Sequence, residues 1–404
     1  MSTPEPAAGR DRAARSPRLD TDALLTDRRT RIIVCCGSGG VGKTTTAAAL
    51  ALRAAELGRD AVVITVDPAR RLAQSLGLTE LDNTPRLVPL PEPAAPGTAD
   101  GARPEGGGTL HAMMLDMKRT FDEIVEAHAD PARAEQILAN PFYQSLSSSF
   151  SGTQEYMAME KLGQLRRSDE WDLIIVDTPP SRSALDFLDA PQRLGRFLDG
   201  RLIRFLSAPA KTGGRAFRLL GAGFGVVTGV VSKVVGAQLL KDVQTFVTAF
   251  DAVFGGFQER ATQTYRLLQA PGTAFLVVAA PESDAIREAS YFVERLAEER
   301  MPLAGLVLNR THHSLVPRLS AARGLAAAEA LEESGDHPLA ASALRLHADR
   351  VRVESRELRL RAYFTSTHPA IPVAEVPAQP EDVHDLTGLR EIGRALADTG
   401  RSAG

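Results

Sequence analysis

One stretch of the chain constrains its fold more than any other. An apolar run, Ile32–Cys36, leads into a glycine-rich turn over residues 37–42, and an alanine-rich segment typical of a helix begins at Lys43. Residues 37–44 fit the pattern G-x-x-x-x-G-K-[ST] in the strand–loop–helix setting that the pattern requires. Glycines let the backbone N–H groups of such a loop turn inward around phosphate oxygens, and the new helix directs its positive end at them. The sequence therefore predicts a phosphate-binding loop that holds a nucleoside triphosphate.

Two side chains at the end of this loop would carry its chemistry. Lys43 is expected to reach the β- and γ-phosphates, and the hydroxyl of Thr44 to complete the shell of a Mg²⁺ ion. The alternative interpretation is a tight glycine turn before an ordinary helix. The intact Lys-Thr pair in its strand–loop–helix context disfavours that alternative.

A second segment supplies a candidate metal-supporting carboxylate. Four apolar residues, 173–176, end in Asp177, which places a carboxylate at the tip of a predicted strand. Such a pattern occurs in many strands and is a weak signal alone. After a phosphate-binding loop it becomes strong, because an aspartate at this place can support the Mg²⁺ shell.

The order of the segments predicts one α/β domain. Apolar runs suited to buried strands alternate with helical patterns along the chain, which favours a mostly parallel sheet flanked by helices. Strands are predicted at 32–36, 61–66, 111–115, 173–177, 274–280, 303–308 and 371–377; helices are predicted at 43–57, 284–298, 339–363 and 386–397, with a mostly helical region over 116–167. The predicted organisation is a disordered arm over 1–18, the α/β domain over 19–397 with a mobile loop at 91–108 and an inserted α-helical subdomain at about 185–268, and a tail over 398–404. The ligand is expected at the carboxyl ends of the strands.

Composition and charge limit which partners, which metal sites and which cellular compartment are expected. The 404 residues carry a net charge of −3, which gives no electrostatic footprint for nucleic acid. Cys35 and Cys36 are the only cysteines, and their adjacency excludes a C-x-x-C metal clasp and favours two small buried residues. The first thirty residues lack the apolar core of a signal peptide, so the chain is expected in the cytoplasm.

Residues 219–240 leave three interpretations open. The segment is apolar apart from Ser, Thr, Gln and Lys233, and it is rich in glycine. Its length suits a membrane span, but Lys233 and the glycines disfavour one. The alternatives are a helix buried within the helical subdomain and a partly exposed apolar surface for a client.

Taken together, the motifs resemble one family over about residues 31–397. The phosphate-binding loop, the sequence Asp67-Pro68-Ala69, the sequence Asp177-Thr178-Pro179-Pro180, the helical insertion and Asn309 are similar to those of the ArsA/guided-entry ATPases, which belong to the SIMIBI class of P-loop proteins. Residues 66–72 and 184–188 look nearest to the bacterial branch of anion-transporting ATPases. The resemblance implies a dimeric, Mg²⁺-dependent ATPase that couples its nucleotide state to a client or membrane partner, in anion transport or in targeting of hydrophobic proteins. It also implies a cytoplasmic protein that associates at most peripherally with a membrane.

Residue by residue, the resemblance implies roles for positions beyond the loop. Asp67 would orient or activate the attacking water, although it could also simply cap the helix that Pro68 opens. Asp177 would support Mg²⁺ through a water, and Asn309 would read the adenine edge. The residues implied to bind the nucleotide are Gly37, Ser38, Gly39, Gly40, Val41, Gly42, Lys43, Thr44, Thr45 beside the α-phosphate, Asn309, and the backbone around Val376 and Pro377.

The sequence departs from the family pattern in ways that bear on partners. The family's loop carries a second lysine, which crosses to the partner's phosphates, where this chain has Ser38. A homodimer is therefore expected to hydrolyse ATP slowly, and a heterodimer with a lysine-bearing paralogue is favoured. Arg182 could substitute as a charge donor, although a structural role is favoured for it. The cysteines that hold zinc or arsenite in relatives are absent, so neither site is expected.

Three classes of function compete at this stage. The favoured one is an ATPase, because Lys43, Thr44, Asp67 and Asp177 are all present. Ser38 motivates the second, a nucleotide-binding structural subunit with negligible hydrolysis. A partition ATPase of the ParA/MinD type is disfavoured by the helical insertion and by the lack of an amphipathic membrane helix at the carboxyl terminus.

Overall fold

The computed structural model describes residues 17–66, 71–90, 107–141, 143–144, 154–178, 257–335 and 337–398. Asp67, Arg182, residues 219–240, nearly all of the predicted mobile loop and most of the predicted helical insertion lie outside these ranges. Elements are numbered in chain order over the described residues.

The described strands form a single sheet of eight in the order β3-β4-β2-β5-β1-β6-β7-β8. From β2 across to β8 the neighbouring strands pair in parallel, whereas β3 and β4 are antiparallel. The strands are β1 (Ile32–Cys36), β2 (Ala61–Thr65), β3 (Arg86–Leu87), β4 (Leu110–Met114), β5 (Leu173–Asp177), β6 (Thr273–Ala279), β7 (Leu303–Thr311) and β8 (Val373–Pro377). The predicted mostly parallel α/β sheet is confirmed.

Eleven helices are described. They are α1 (Thr21–Thr26), α2 (Lys43–Glu56), α3 (Arg71–Ser75), α4 (Met117–His128), α5 (Pro131–Leu138), α6 (Gln154–Ser168), α7 (Phe257–Gln269), α8 (Ser283–Glu298), α9 (Ala321–Ser334), α10 (Pro338–Thr367) and α11 (Leu386–Ala397). None of them is both long enough and apolar enough to cross a bilayer.

The position of the central strands in the core explains why their sequences are continuous apolar runs. Every residue of β1, β2, β5 and β6 is buried, as expected for strands covered on both faces. Helix α2 buries a largely alanine face, which lets it lie close to β2 and β5. Helix α11 packs against α2 and β8. The start of α2 lies beside the carboxyl end of β1, because only the short glycine loop separates the two elements.

The chain divides into two compact units, which are described separately. The first comprises residues 1–113, 170–184 and 268–404 and contains nearly all of the sheet. The second comprises residues 114–169 and 185–267. Within the second, α4 packs against α5 and α6, Lys161 Nζ lies 3.0 Å from Glu123 Oε2, and the hydroxyl of Tyr143 donates to Asp122 at 2.7 Å.

Two details differ from the sequence-based expectations. No helix was predicted between β7 and the long helix, but α9 occupies that segment, capped by Ser320 at its start and by a left-handed Gly335 at its end. Its alanine-rich composition favours a helix, although the segment lacks a strong apolar period. Strand β7 also continues past Asn309 to Thr311.

Candidate nucleotide-binding site

The parallel register brings polar groups together at one edge of the sheet. Asp177 of β5 lies opposite Thr65 of β2 on one side and Cys35 of β1 on the other. The glycine loop leaves β1 at the same edge and continues into α2. The predicted position of the site, at the carboxyl ends of the strands, follows directly from this register.

At two positions of the loop only glycine fits, because neighbouring atoms leave no room for a Cβ. A Cβ on Gly37 would lie 2.1 Å from the carbonyl oxygen of Val278 in β6. Gly42 has φ +93°, and a Cβ there would lie 2.2 Å from Nδ2 of Asn309. By contrast, Gly40 has φ +78°, and no atom of the described residues lies within 4 Å of its Cβ position. The loop is therefore seated on β6 and β7 while its tip remains open.

Lys43 begins α2 and folds back over the loop. Its side chain is 5% exposed, and Nζ donates a 2.8 Å hydrogen bond to the carbonyl oxygen of Ser38. This arrangement closes the loop into a ring with a cation at its inner side. A phosphate bound in the loop would meet that cation together with the amino terminus of α2.

Thr44, Asp177 and Thr65 form an oxygen cluster next to the loop. Thr44 Oγ1 donates to Asp177 Oδ2 at 2.7 Å, and Thr65 Oγ1 donates to the same oxygen at 2.9 Å. The Asp177 side chain is fully buried. Hydroxyl and carboxylate oxygens are the ligands that Mg²⁺ prefers, so Thr44 and Asp177 fit the predicted ion.

Sequence reasoning missed Thr65. The residue ends an otherwise apolar buried strand, and that polar ending was the signal that could have identified it. Its hydroxyl fixes one Asp177 oxygen and thereby orients the carboxylate.

Asn309 and the end of β8 form the opposite wall. Asn309 is 7% exposed, and its Nδ2 donates a 2.8 Å hydrogen bond to the carbonyl oxygen of Val41 in the loop. It pairs in register with Val376, whose side chain is buried, while Pro377 is exposed and lines the cavity. The structure thus brings together the three residues expected near an adenine ring.

A cavity of about 1120 Å³ connects these features. The glycine loop, the first turn of α2, α3 and the segment after β8 all contribute to its lining. The contributions of Arg71 and Gln74 from α3 and of residues 378–384 were not predicted. The volume is ample for a nucleotide, since typical ligand clefts hold roughly 300–1,000 Å³.

Ser38 faces a different space. It lines a second cavity of about 380 Å³, together with Glu282, Asp284, Glu288 and Arg310, and the face of the loop toward this cavity is called here its outer side. Of the predicted loop residues, Gly40 lines both cavities, and Thr44 and Thr45 line the main one.

The two cysteines behind the loop are not nucleophiles at neutral pH. Burial raises the pKa of the Cys36 thiol to about 12 and raises the pKa of Cys35 as well, with the Asp177 charge adding to the effect at Cys35. Both thiols therefore stay protonated and serve as small apolar residues beside the loop.

Comparisons with known proteins agree with this geometry. A family model described as anion-transporting ATPase matches residues 30–318. Similar proteins include ATPase GET3 of Malassezia globosa, 29% identical over 185 residues that cover 46% of this chain and 49% of the relative. ATPase GET3 of Podospora anserina is 25% identical over 301 residues, 74% of this chain and 78% of the relative. ATPase ARSA2 of Chlamydomonas reinhardtii is 25% identical over 300 residues, 74% of this chain and 72% of the relative.

The match to the Malassezia protein spans about half of that relative's length. The family model, however, extends from the residues just before β1 to beyond β7 and so contains the loop, Asp177 and Asn309. The resemblance seen in the motifs is thereby confirmed, and the chain belongs to the ArsA family of anion-transporting ATPases.

Proposed function

We propose that this protein binds ATP together with Mg²⁺ at the glycine loop and hydrolyses it to ADP and phosphate. The observation that carries the proposal is the contact of Asp177 with Thr44, which together with Lys43 lines a nucleotide-sized cavity. These are the groups that phosphoryl transfer requires for positioning and for charge stabilisation. Membership of the ArsA family supports the same activity.

Each group has a separate task in this proposal. Lys43, the loop N–H groups and the start of α2 stabilise negative charge on the phosphate oxygens. Thr44 would hold Mg²⁺ directly and Asp177 would support it through a water, and the ion when bound neutralises charge on the β- and γ-phosphates. Asn309, whose amide is fixed on the loop by its bond to Val41, is proposed to contact the base. Asp67 is proposed to orient the attacking water.

We propose that the ATPase works as a dimer that couples its nucleotide state to a client or membrane partner, in anion transport or in targeting of hydrophobic proteins. Ser38 supports a heterodimer with a lysine-bearing paralogue, because serine cannot supply the charge that this position carries in the family. Groups of this type contribute roughly 10³–10⁵ in rate where they operate.

The activity is tested with the purified chain. ATP affinity and turnover are measured with Mg²⁺ for the wild type, Lys43→Ala and Lys118→Ala, the last a control lysine paired with Asp122 on an exposed face of α4. Lys43→Ala should lose most ATP affinity, whereas Lys118→Ala should behave as the wild type. A Lys43→Ala variant with normal affinity would overturn the proposal.

The water-orienting role is tested separately with Asp67→Asn, which should bind ATP normally and turn it over slowly. Normal turnover in that variant would remove Asp67 from the mechanism. Ser38→Lys should accelerate the homodimer.

A second candidate, a nucleotide-binding structural subunit, is favoured by Ser38 alone. It predicts binding that depends on Lys43 and no turnover in any assembly, including mixtures with a lysine-bearing paralogue. Measurable turnover of the wild-type chain in any of these mixtures excludes it.

A further inference from the structure

Arg310 has an unusual backbone position at the edge of the site. In the pairing of β7 with β8, Asn309 lies opposite Val376 and Thr311 lies opposite Pro377, so Arg310 is an extra residue that forms a bulge. Its φ of +64° lies in the left-handed region, which is uncommon for a residue other than glycine. Bulges beside active sites redirect a side chain, and local strain of this kind is concentrated at functional sites.

The bulge places Arg310 on both sides of the glycine loop. The residue lines the main cavity together with Gly40 and Gly42, and it lines the second cavity together with Ser38. Its side chain is exposed, and it forms no hydrogen bond or ion pair with any residue in the described ranges. Arg71, the other guanidinium on the wall of the main cavity, belongs to α3 and does not line the second cavity.

The charged side chains near the loop indicate what the guanidinium of Arg310 could contribute to the site. Lys43 is buried and bonded to the loop carbonyl of Ser38, so its charge acts from the inner side of the loop. On the outer side Ser38 is uncharged, and the second cavity carries Glu282, Asp284 and Glu288. Of these three carboxylates, only Asp284 forms an ion pair within α8, with Arg287 at 3.0 Å. A triphosphate at the loop would therefore face net negative charge there, which the guanidinium of Arg310 reduces but does not cancel.

We propose that Arg310 contacts the phosphates of the bound nucleotide from the outer side of the loop and supplies, within the same chain, a second positive charge beside Lys43. Guanidinium groups suit this task because their planar donors bind phosphate oxygens in pairs. The inference rests on the proposed function, since it requires ATP in the main cavity. Arg310 of the same chain would then supply part of the positive charge that the family's lysine provides at the position of Ser38.

Nucleotide affinities of Arg310→Ala test the contact. ATP, ADP and AMP are titrated into the wild type, Arg310→Ala and the control Arg300→Ala. Arg300 is a matched control because it is exposed, has φ +55°, and precedes the opposite end of β7. Arg310→Ala should weaken ATP binding by about tenfold, ADP binding less and AMP binding least. The loss should grow with the number of phosphates, because each phosphate adds acceptors for charge-assisted hydrogen bonds from Arg310. Arg300→Ala should leave all three affinities unchanged.

Three further measurements keep the proposal falsifiable. The dependence of ATP affinity on salt should become shallower in Arg310→Ala, because one charge contact is gone. Arg310→Lys, which keeps the charge, should retain most of the preference for ATP over AMP. Thermal unfolding shows whether each variant is folded.

The outcomes separate this inference from the proposed function. Equal losses for ATP, ADP and AMP in a folded Arg310→Ala variant, or no loss at all, would overturn the role of Arg310 while leaving Lys43-dependent ATP binding intact. Absence of ATP binding by the wild-type chain would overturn both.

Discussion

Thr44 Oγ1 lies 2.7 Å from Asp177 Oδ2, which ties the first turn of α2 to the carboxyl end of β5. Because Thr65 donates to the same oxygen at 2.9 Å, the carboxylate is held from two sides. These are the two groups proposed to support Mg²⁺. The Thr44 hydroxyl could keep this hydrogen bond and still offer a lone pair to Mg²⁺, so Asp177 would orient the ligand oxygen of Thr44 and support the ion through a water.

The first prediction concerns the charge of Asp177. Asp177→Asn keeps the size of this buried side chain but removes its negative charge, so ATP affinity in the presence of Mg²⁺ should fall by about tenfold or more. Affinity in a chelator should be unchanged or higher, because a negative charge near the phosphates is gone. Isothermal titration with and without Mg²⁺ measures both quantities.

Thr65→Val is the matched control for this experiment. It removes one hydrogen bond to Asp177 at a cost of about 1 kcal/mol in unfolding free energy but leaves the carboxylate and Thr44 in place. It should retain the dependence on Mg²⁺. An Asp177→Asn variant that also retained that dependence would exclude Asp177 from the metal site.

The second prediction compares two glycines of the loop. Gly42→Ala should abolish most ATP binding, because its Cβ would displace the Asn309 amide and break the bond from Asn309 to the Val41 carbonyl. Gly40→Ala carries a similar backbone cost at φ +78° but meets no neighbour. Titration of ATP into both variants separates the two effects. Equal affinities would show that the contact with Asn309 is irrelevant to binding.

Much of this site was predictable from the sequence, for a physical reason. In a parallel sheet the carboxyl ends of the strands share one edge, so Asp177 and Asn309 could be placed with the glycine loop once the strands were recognised. Val376 could be placed at the same edge for the same reason, although its pairing with Asn309 depends on the register of β7 and β8. Local motifs and apolar runs were sufficient for these placements.

The missed features depend on details that are not local in sequence. Thr65 gains its role only because β2 and β5 are neighbours in the sheet, although they are far apart in the chain. The bulge at Arg310 depends on the register between β7 and β8, which no residue pattern of β7 alone specifies. Helix α9 was missed for a different reason, since its alanine-rich sequence forms a helix without a pronounced apolar face. The role of Asp67 stays a prediction.

The third prediction concerns Arg59, one of the largest fully buried side chains in the described part of the chain. Its guanidinium is 1% exposed and donates to the Asp172 carboxylate and to the carbonyl oxygens of Leu25, Thr30 and Asp172. Arg59→Met should lower the unfolding free energy by about 3–5 kcal/mol, because these acceptors lose their donor in a buried place. Chemical denaturation monitored by circular dichroism measures the change.

Arg53→Met is the control for Arg59. Arg53 also forms a two-point ion pair, with Asp22, but both side chains are partly exposed, so the loss should be at most about 1 kcal/mol. Similar losses in the two variants would show that burial does not set the energy of the Arg59 network.

The last prediction concerns the pH dependence of stability at His111. This residue packs edge-on against Trp171 with ring centroids 5.7 Å apart, and partial burial lowers the pKa of its imidazole below the usual 6.5 despite the opposing charges of Asp60 and Glu170. Between the lowered pKa and about 6.5 the unfolded chain binds more protons at this position than the folded chain does. The stabilisation from neutral His111 is therefore complete above that range and is lost as the pH falls through it.

His111→Gln removes this titration. The unfolding free energy of the wild type should accordingly fall more steeply than that of the variant as the pH is lowered below about 6.5, with the two slopes equal at higher pH. Urea denaturation followed by circular dichroism at a series of pH values gives both slopes, and the difference between them cancels the shared contribution of the other titratable groups. Parallel curves over the whole acidic range would show that His111 titrates alike in the folded and unfolded chains.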